Sequence, residues 1–288
     1  MNKIVFSLLL LIGTATFAQP KQYTTANAHS HNDYEQPVPL HTAYSEMFGS
    51  VEADVFWHNG QLLVAHKAEE LRPGRTLEEM YLKPLARLVK KNKGHIYADT
   101  SRRLQLMIDL KTNGDTTLRT LVELLQKYPV LTGCSSLQIA ISGNRPDVSA
   151  FTSYPAYIGF DGELEKEYPA EALSRIVMMS ADLKKYTSWS GNGIIPASQW
   201  DSLQRAVNHA HALRKPVRFW ASPDFTNAWY QLIKLEVDYI NTDSIRALAG
   251  FLRKLPASSF KNETGYKTYQ MEPGWSSFTP GIPPIKAH

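Results

Sequence analysis

A single (β/α)8 barrel of the α/β class is the fold that this 288-residue chain predicts. Three observations predict it. Short β-forming runs alternate with amphipathic helical segments from residue 22 onward, which implies parallel strands joined by right-handed crossovers. The runs number eight: 24–29, 50–56, 104–110, 136–142, 156–160, 175–180, 216–221 and 238–241. The length suits one such barrel, which takes about 250 residues. The helical segments 76–93, 117–128, 198–214 and 225–235 lie between the runs. In 117–128, Leu118, Leu121, Val122 and Leu125 recur at the spacing of one buried helical face. An open doubly wound sheet is the alternative, and no Gly-rich dinucleotide loop supports it.

The two ends of the chain read differently from its middle. One positive charge at Lys3, an apolar run from Ile4 to Gly13, and small residues at Thr16 and Ala18 describe a secretory signal peptide cut after Ala18. The apolar run is too short for a membrane span, which needs about 20 residues. A periplasmic or secreted protein without a stable membrane anchor is therefore expected, with the barrel over 19–255. Residues 256–288 carry five prolines together with Tyr266, Tyr269, Trp275 and Phe278, and read as an extended tail packed on the barrel. The composition, 43% hydrophobic and 20% charged, excludes a disordered or collagen-like chain. The net charge of +4 is spread without a basic stripe, so no nucleic-acid partner is implied. The lone Cys134 excludes an intramolecular disulfide and a Cys-based zinc site. A monomer is the expected state.

A barrel of this class carries its site at the C-terminal ends of its strands. The first strand ends in His29-Ser30-His31-Asn32-Asp33, and the second carries Glu52 and Asp54. Residues i and i+2 of a strand share a face, so both carboxylates point into the barrel. Side by side they repel unless a cation lies between them. Asn59-Gly60 is a strong hairpin signal, and the return strand brings His66 back toward Asp54. The third strand adds Asp109 and Lys111 on one face. Three carboxylates suit one hard divalent cation, Mg2+ or Ca2+. Such a cation and Lys111 would stabilise phosphoryl charge. The two histidines, His29 and His66, can serve as general base and general acid, since an unperturbed imidazole titrates near neutral. His31 is a second ligand or a substrate contact. Arg145, Trp220 and Asp243 sit where the pocket would be lined, although Trp220 could equally pack at the rim and Asp243 could cap a helix beginning near Ser244.

This ordered set resembles the PLC-like phosphodiesterase superfamily of TIM barrels. That group holds glycerophosphodiester phosphodiesterases, phosphatidylinositol-specific phospholipases C and sphingomyelinase D-like enzymes. The opening His29-Ser30-His31-Asn32-Asp33-Tyr34, with Tyr81-Leu82-Lys83-Pro84-Leu85, is most similar to the altered inheritance of mitochondria protein 6-like branch. The resemblance implies His29 and His66 as the acid–base pair, Glu52, Asp54 and Asp109 as metal ligands, and Lys111 as a phosphate contact. It also implies attack by a hydroxyl of the substrate itself, whose effective concentration is high. Three features depart from the usual glycerophosphodiesterase pattern. His29-Ser30-His31 stands for His-Arg-Gly, Lys67 for the Asp after the second histidine, and Asp109 for a Glu. The last two features and Asn32 look more like the sphingomyelinase D-like arrangement, and Asn32 joins the expected substrate contacts. A secreted, metal-dependent phosphoric diester hydrolase or cyclising phosphotransferase, acting on a glycerophosphodiester or phospholipid-type substrate, is the leading expectation. A His-x-His amidohydrolase-like metallohydrolase would need further histidines at 136–142, 156–160 or 175–180, which hold none. A non-catalytic ligand-binding barrel is the third reading.

Overall fold

The computed structural model describes residues 22–255, and the expected leader (1–18) and tail (256–288) lie outside the described residues. Eight parallel strands run around the barrel: β1 (Ala28–Ser30), β2 (Ser50–His58), β4 (Leu104–Leu110), β5 (Leu137–Gly143), β6 (Ile158–Glu163), β7 (Ile176–Asp182), β8 (Val217–Trp220) and β9 (Ile240–Thr242). A ninth, β3 (Gln61–Val64), returns antiparallel along β2 through the left-handed pair Asn59 and Gly60. This is the turn that the Asn-Gly signal implies. The strand order is β8-β7-β6-β5-β4-β2-β1-β9. The seam between β8 and β9 is joined by Val217, whose carbonyl accepts the amides of Asp238 (3.1 Å) and Tyr239 (3.0 Å). Helices α1 (His41–Ser45), α2 (Lys83–Lys91), α3 (Gly114–Gln126), α4 (Pro129–Thr132), α5 (Ala170–Leu173), α6 (Ala197–Ala212) and α7 (Thr226–Lys234) lie between strands, α8 (Ile245–Lys254) follows β9, and β5 passes to β6 through a 3-10 helix, Val148–Ser153. Among the described residues no helix is long and apolar enough to cross a membrane.

Alternation decides what faces where. Val51, Ala53 and Val55 of β2 and Leu104, Leu106, Ile108 and Leu110 of β4 are buried on the helix side. Their neighbours Ser50, Glu52, Asp54, Gln105, Met107 and Asp109 take the opposite face, in register across the two strands. The lumen is therefore polar at strand depth. Gln105 reaches across it to the Met178 sulfur of β7 at 3.7 Å.

Some boundaries differ from the sequence reading, each for a local reason. The first strand begins only at Ala28, because Thr25–Asn27 form a 3-10 turn capped by the Thr24 side chain. The helix expected from 76 opens with a π-turn, Glu78–Leu82. The strand expected over 156–160 continues to Glu163 after a register shift between Phe160 and Asp161. That extension brings a further carboxylate, Asp161, into the lumen.

Gly143 ends β5 with φ +70, and a Cβ there would stand 2.5 Å from Asp109 Oδ1 and 2.6 Å from the Leu110 carbonyl. Gly143→Ala is expected to lose about 1–3 kcal/mol in urea denaturation through forced left-handed backbone and contact with Asp109. Gly250→Ala, on an open helical surface of α8, should gain about 0.5–1 kcal/mol instead.

Candidate active site

Strands β1, β2, β4, β5, β6, β7 and β8 all deliver side chains to one mouth of the barrel. Three groupings form there. The innermost joins His29, Glu52 and Arg218. Arg218 Nη1 lies 2.5 Å from Glu52 Oε2 and 2.5 Å from His29 Nε2, while His29 Nε2 is 2.8 Å from Glu52 Oε2. His29 Nδ1 pairs with Ser50 Oγ at 2.8 Å. Burial opposes charge on Glu52, but the Arg218 guanidinium and the His29 hydrogen bond overcome it and hold the carboxyl well below its usual range. Burial, followed by the Arg218 charge, lowers the His29 pKa to about 4, so its ring is neutral near pH 7. A neutral Nε2 carries either a proton for Glu52 or a lone pair for Arg218.

The second grouping centres on Asp54. Its Oδ2 accepts from Tyr34 Oη (2.8 Å) and Lys111 Nζ (2.9 Å), and His66 Nδ1 stands 3.6 Å away. Lys111 also meets Asp109 Oδ1 at 3.0 Å, and Asp109 Oδ2 accepts from Ser142 Oγ at 3.0 Å. Register explains this meeting, since Asp54 is opposite Asp109 and Asp109 opposite Ser142. Burial and then the Glu52 charge raise the Asp54 pKa to about 6, against the pull of Lys111. Burial also opposes charge on Lys111, but Asp109 and Asp54 hold its pKa above the ordinary value.

The third grouping lies further out. His31 Nδ1 pairs with Asp243 Oδ1 at 2.8 Å, and its side chain keeps 28% exposure. Burial lowers the His31 pKa, yet the Asp243 hydrogen bond and the Glu52 and Asp243 charges together outweigh it, and the net shift is upward. Asp243 does not cap α8; Asp224 Oδ2 accepts the Asp243 and Ser244 amides instead. Arg145 pairs with Glu163 at 2.9 Å.

A cavity of roughly 400 Å3 opens over these groups, lined by His31, Glu52, Asp109, Lys111, Arg145 and Trp220 among others. Of the sequence-predicted residues, Asp243 orients His31 from outside the lining, and Asn32 spends its side chain on the Tyr34 hydroxyl at 2.8 Å. His66, His29 and Asp54 also lie outside that lining; His66 is 44% exposed, whereas His29 is fully buried against Arg218 and Glu52. The sequence reading passed over Arg218, Asp161 and Tyr34. Arg218 was signalled by its position two residues before Trp220, on the same strand face, as a charge inside an apolar run.

The carboxylates Glu52, Asp54, Asp109 and Asp161 outnumber the cations Arg218 and Lys111 in this lumen. Asp54 Oδ1 and Asp161 Oδ1 are buried without a hydrogen-bond partner, and burial raises the Asp161 pKa to about 6. An oxygen-only donor set with surplus negative charge fits a hard divalent cation. As the side chains stand, Lys111 and Arg218 close the set, and among the described residues no three His, Cys, Asp or Glu side chains converge as a metal centre.

Residues 20–130 match the AIM6-like phosphodiesterase domain, a stretch that contains His29, Glu52, Asp54, His66, Asp109 and Lys111. Altered inheritance of mitochondria protein 6 of Kluyveromyces lactis is 26% identical over 78% of this chain and 72% of its own length. A glycerophosphodiester phosphodiesterase of Parabacteroides distasonis shares the fold with TM-score 0.52 and 14% identity, over 79% of this chain and 96% of that one. A Ca2+-dependent phosphatidylinositol-specific phospholipase C of Streptomyces antibioticus does so with TM-score 0.51 and 12% identity, over 78% and 97%.

Arg218→Met strands the buried Glu52 charge and should cost about 3–5 kcal/mol, whereas the double change Arg218→Met with Glu52→Met should recover most of it. Guanidinium denaturation of both variants checks this.

Proposed function

We infer that this chain, a member of the PLC-like phosphodiesterase superfamily, cleaves a phosphodiester bond of a glycerophosphodiester or phospholipid-type substrate at the barrel mouth. The observation that carries the reading is the meeting of His66 and Lys111 on Asp54: a half-exposed base beside a positive charge that lines the cavity. His66 would take the proton of the attacking hydroxyl, either the substrate's own or that of water. Lys111 would face the phosphoryl oxygens as charge builds there. Arg218 supplies a second positive charge at the cavity floor once a phosphoryl group draws it from Glu52. A divalent cation held by Glu52, Asp54 and Asp109 would add Lewis-acid stabilisation of the same oxygens. The expected leader puts this activity outside the cytoplasm.

For the proton donated to the leaving oxygen there are two readings. The residue pattern points to His29, which becomes reachable when Arg218 leaves its Nε2. The geometry favours His31, because it lines the cavity, is oriented by Asp243, and has its pKa raised. A neutral imidazole sealed beneath an arginine is the weaker acid.

Phosphorus NMR with a panel of glycerophosphodiesters, lysophospholipids and phosphoinositides tests the reading, with Mg2+ or Ca2+ and with chelator. Turnover that falls about 10²–10⁴-fold in His66→Ala is the expected result. Turnover unchanged in that variant would overturn the assignment, and the comparison of His29→Ala with His31→Ala identifies the donor. Loss of turnover in chelator would support the cation.

A further inference from the structure

We propose that Tyr34 is the positioning residue that fixes the tautomer of His66, keeping its proton on Nδ1 and its Nε2 bare to act as base. The proposal rests on the reading of His66 as the general base, and its structural half can be tested without any substrate.

Hydrogen-bond accounting carries it. The Tyr34 hydroxyl lies 2.8 Å from Asp54 Oδ2, 2.8 Å from Asn32 Oδ1 and 3.1 Å from His66 Nδ1. A phenol is neutral near pH 7, so Tyr34 has one proton to give. Asp54 Oδ2 and Asn32 Oδ1 can only accept, and one of them takes that proton. The phenolic oxygen then has only lone pairs for His66, so Nδ1 must carry a hydrogen and donate. A neutral imidazole has a single N–H, which leaves Nε2 without one. Reversing the Asn32 amide changes nothing, because Asp54 still receives the phenol proton. The Asp54 carboxylate, 3.6 Å from Nδ1, draws the imidazole proton to the same side. Once His66 has taken a proton on Nε2, the same two oxygens stabilise the imidazolium.

The rest of the loop holds Tyr34 in place. The residue is 2% exposed, and its carbonyl accepts from the Arg75 guanidinium at 2.8 Å. The preceding Asp33 is fixed by Ser30 Oγ (2.8 Å), the Leu40 amide (2.5 Å) and Tyr81 Oη (2.9 Å). Asn32 adopts a left-handed conformation (φ 45, ψ 41) that turns the chain between β1 and this anchor. The hydroxyl therefore meets His66 as part of a prearranged chain from His66 through Tyr34 to Asp54.

The test is multiple-bond 1H–15N NMR of histidine-labelled protein in chelator at alkaline pH, with His66→Ala supplying the assignment. Wild-type protein should show His66 protonated on Nδ1, and Tyr34→Phe should move it toward the ordinary mixture in which Nε2–H predominates. If the wild type carries its proton on Nε2, or if Tyr34→Phe leaves the tautomer unchanged, the proposal is overturned. The wild-type spectrum decides alone should the variant fail to fold, which thermal melting by circular dichroism would reveal. On a phosphodiester substrate Tyr34→Phe should lower kcat about 10–100-fold with little change in KM, the usual scale for groups that orient a functional histidine. The tautomer result stands whatever the substrate is found to be.

Discussion

The positive charge of Arg218, placed on the floor of a lumen that contains four carboxylates, is the constraint on which the rest of this site depends. Taking Glu52 out of water is costly unless a partner compensates, and Arg218 does so at 2.5 Å. Burial keeps the His29 ring neutral, and the same guanidinium, touching its Nε2, adds to that. Lys111 performs the equivalent task one layer outward, between Asp54 and Asp109. The two side chains do not balance the lumen fully. Burial raises the pKa values of Asp54 and Asp161, and each keeps a carboxylate oxygen without a partner. A site in that condition would suit a cation, and Lys111 and Arg218 are the positive side chains that would meet an incoming phosphoryl group.

The scaffold turns a repulsive set of charges into an ordered one through strand register. Asp54, Asp109 and Ser142 are direct neighbours on β2, β4 and β5, so one lysine can bridge two carboxylates while a serine holds the third contact. Gly143, in left-handed conformation at the end of β5, leaves the room that Asp109 needs. The loop after β1 supplies the rest: Asp33 anchors its turn, and Tyr34 leans back to the Asp54–His66 pair.

Much of this was legible in the amino-acid order, and the reasons are physical. Glu52, Asp54 and Asp109 were found because a strand alternates its faces with period two. His66 was found because Asn59-Gly60 dictates a tight return. Arg218 obeyed the same period from Trp220 but read as part of an apolar strand, since its partner Glu52 is distant in sequence. Asp161 was missed because the expected run ended at Phe160, one residue before it, whereas the strand continues to Glu163. Tyr34 could not be given a role, because a loop side chain's reach follows from tertiary anchoring and leaves no periodic trace. The depth of His29 was hidden as well. Its position at a strand end suggested an open acid–base group, whereas the arginine that covers it comes from β8.

Crystallographic analysis of the protein soaked with orthovanadate, an anion shaped like the transferring phosphoryl group, would test the placement of the reactive centre most directly. The anion should sit against Lys111 and within reach of His66, with Arg218 turned from Glu52 toward it. Vanadate confined to Arg145 at the rim, or a Glu52–Arg218 pair left undisturbed beneath an empty cavity, would contradict the proposed centre.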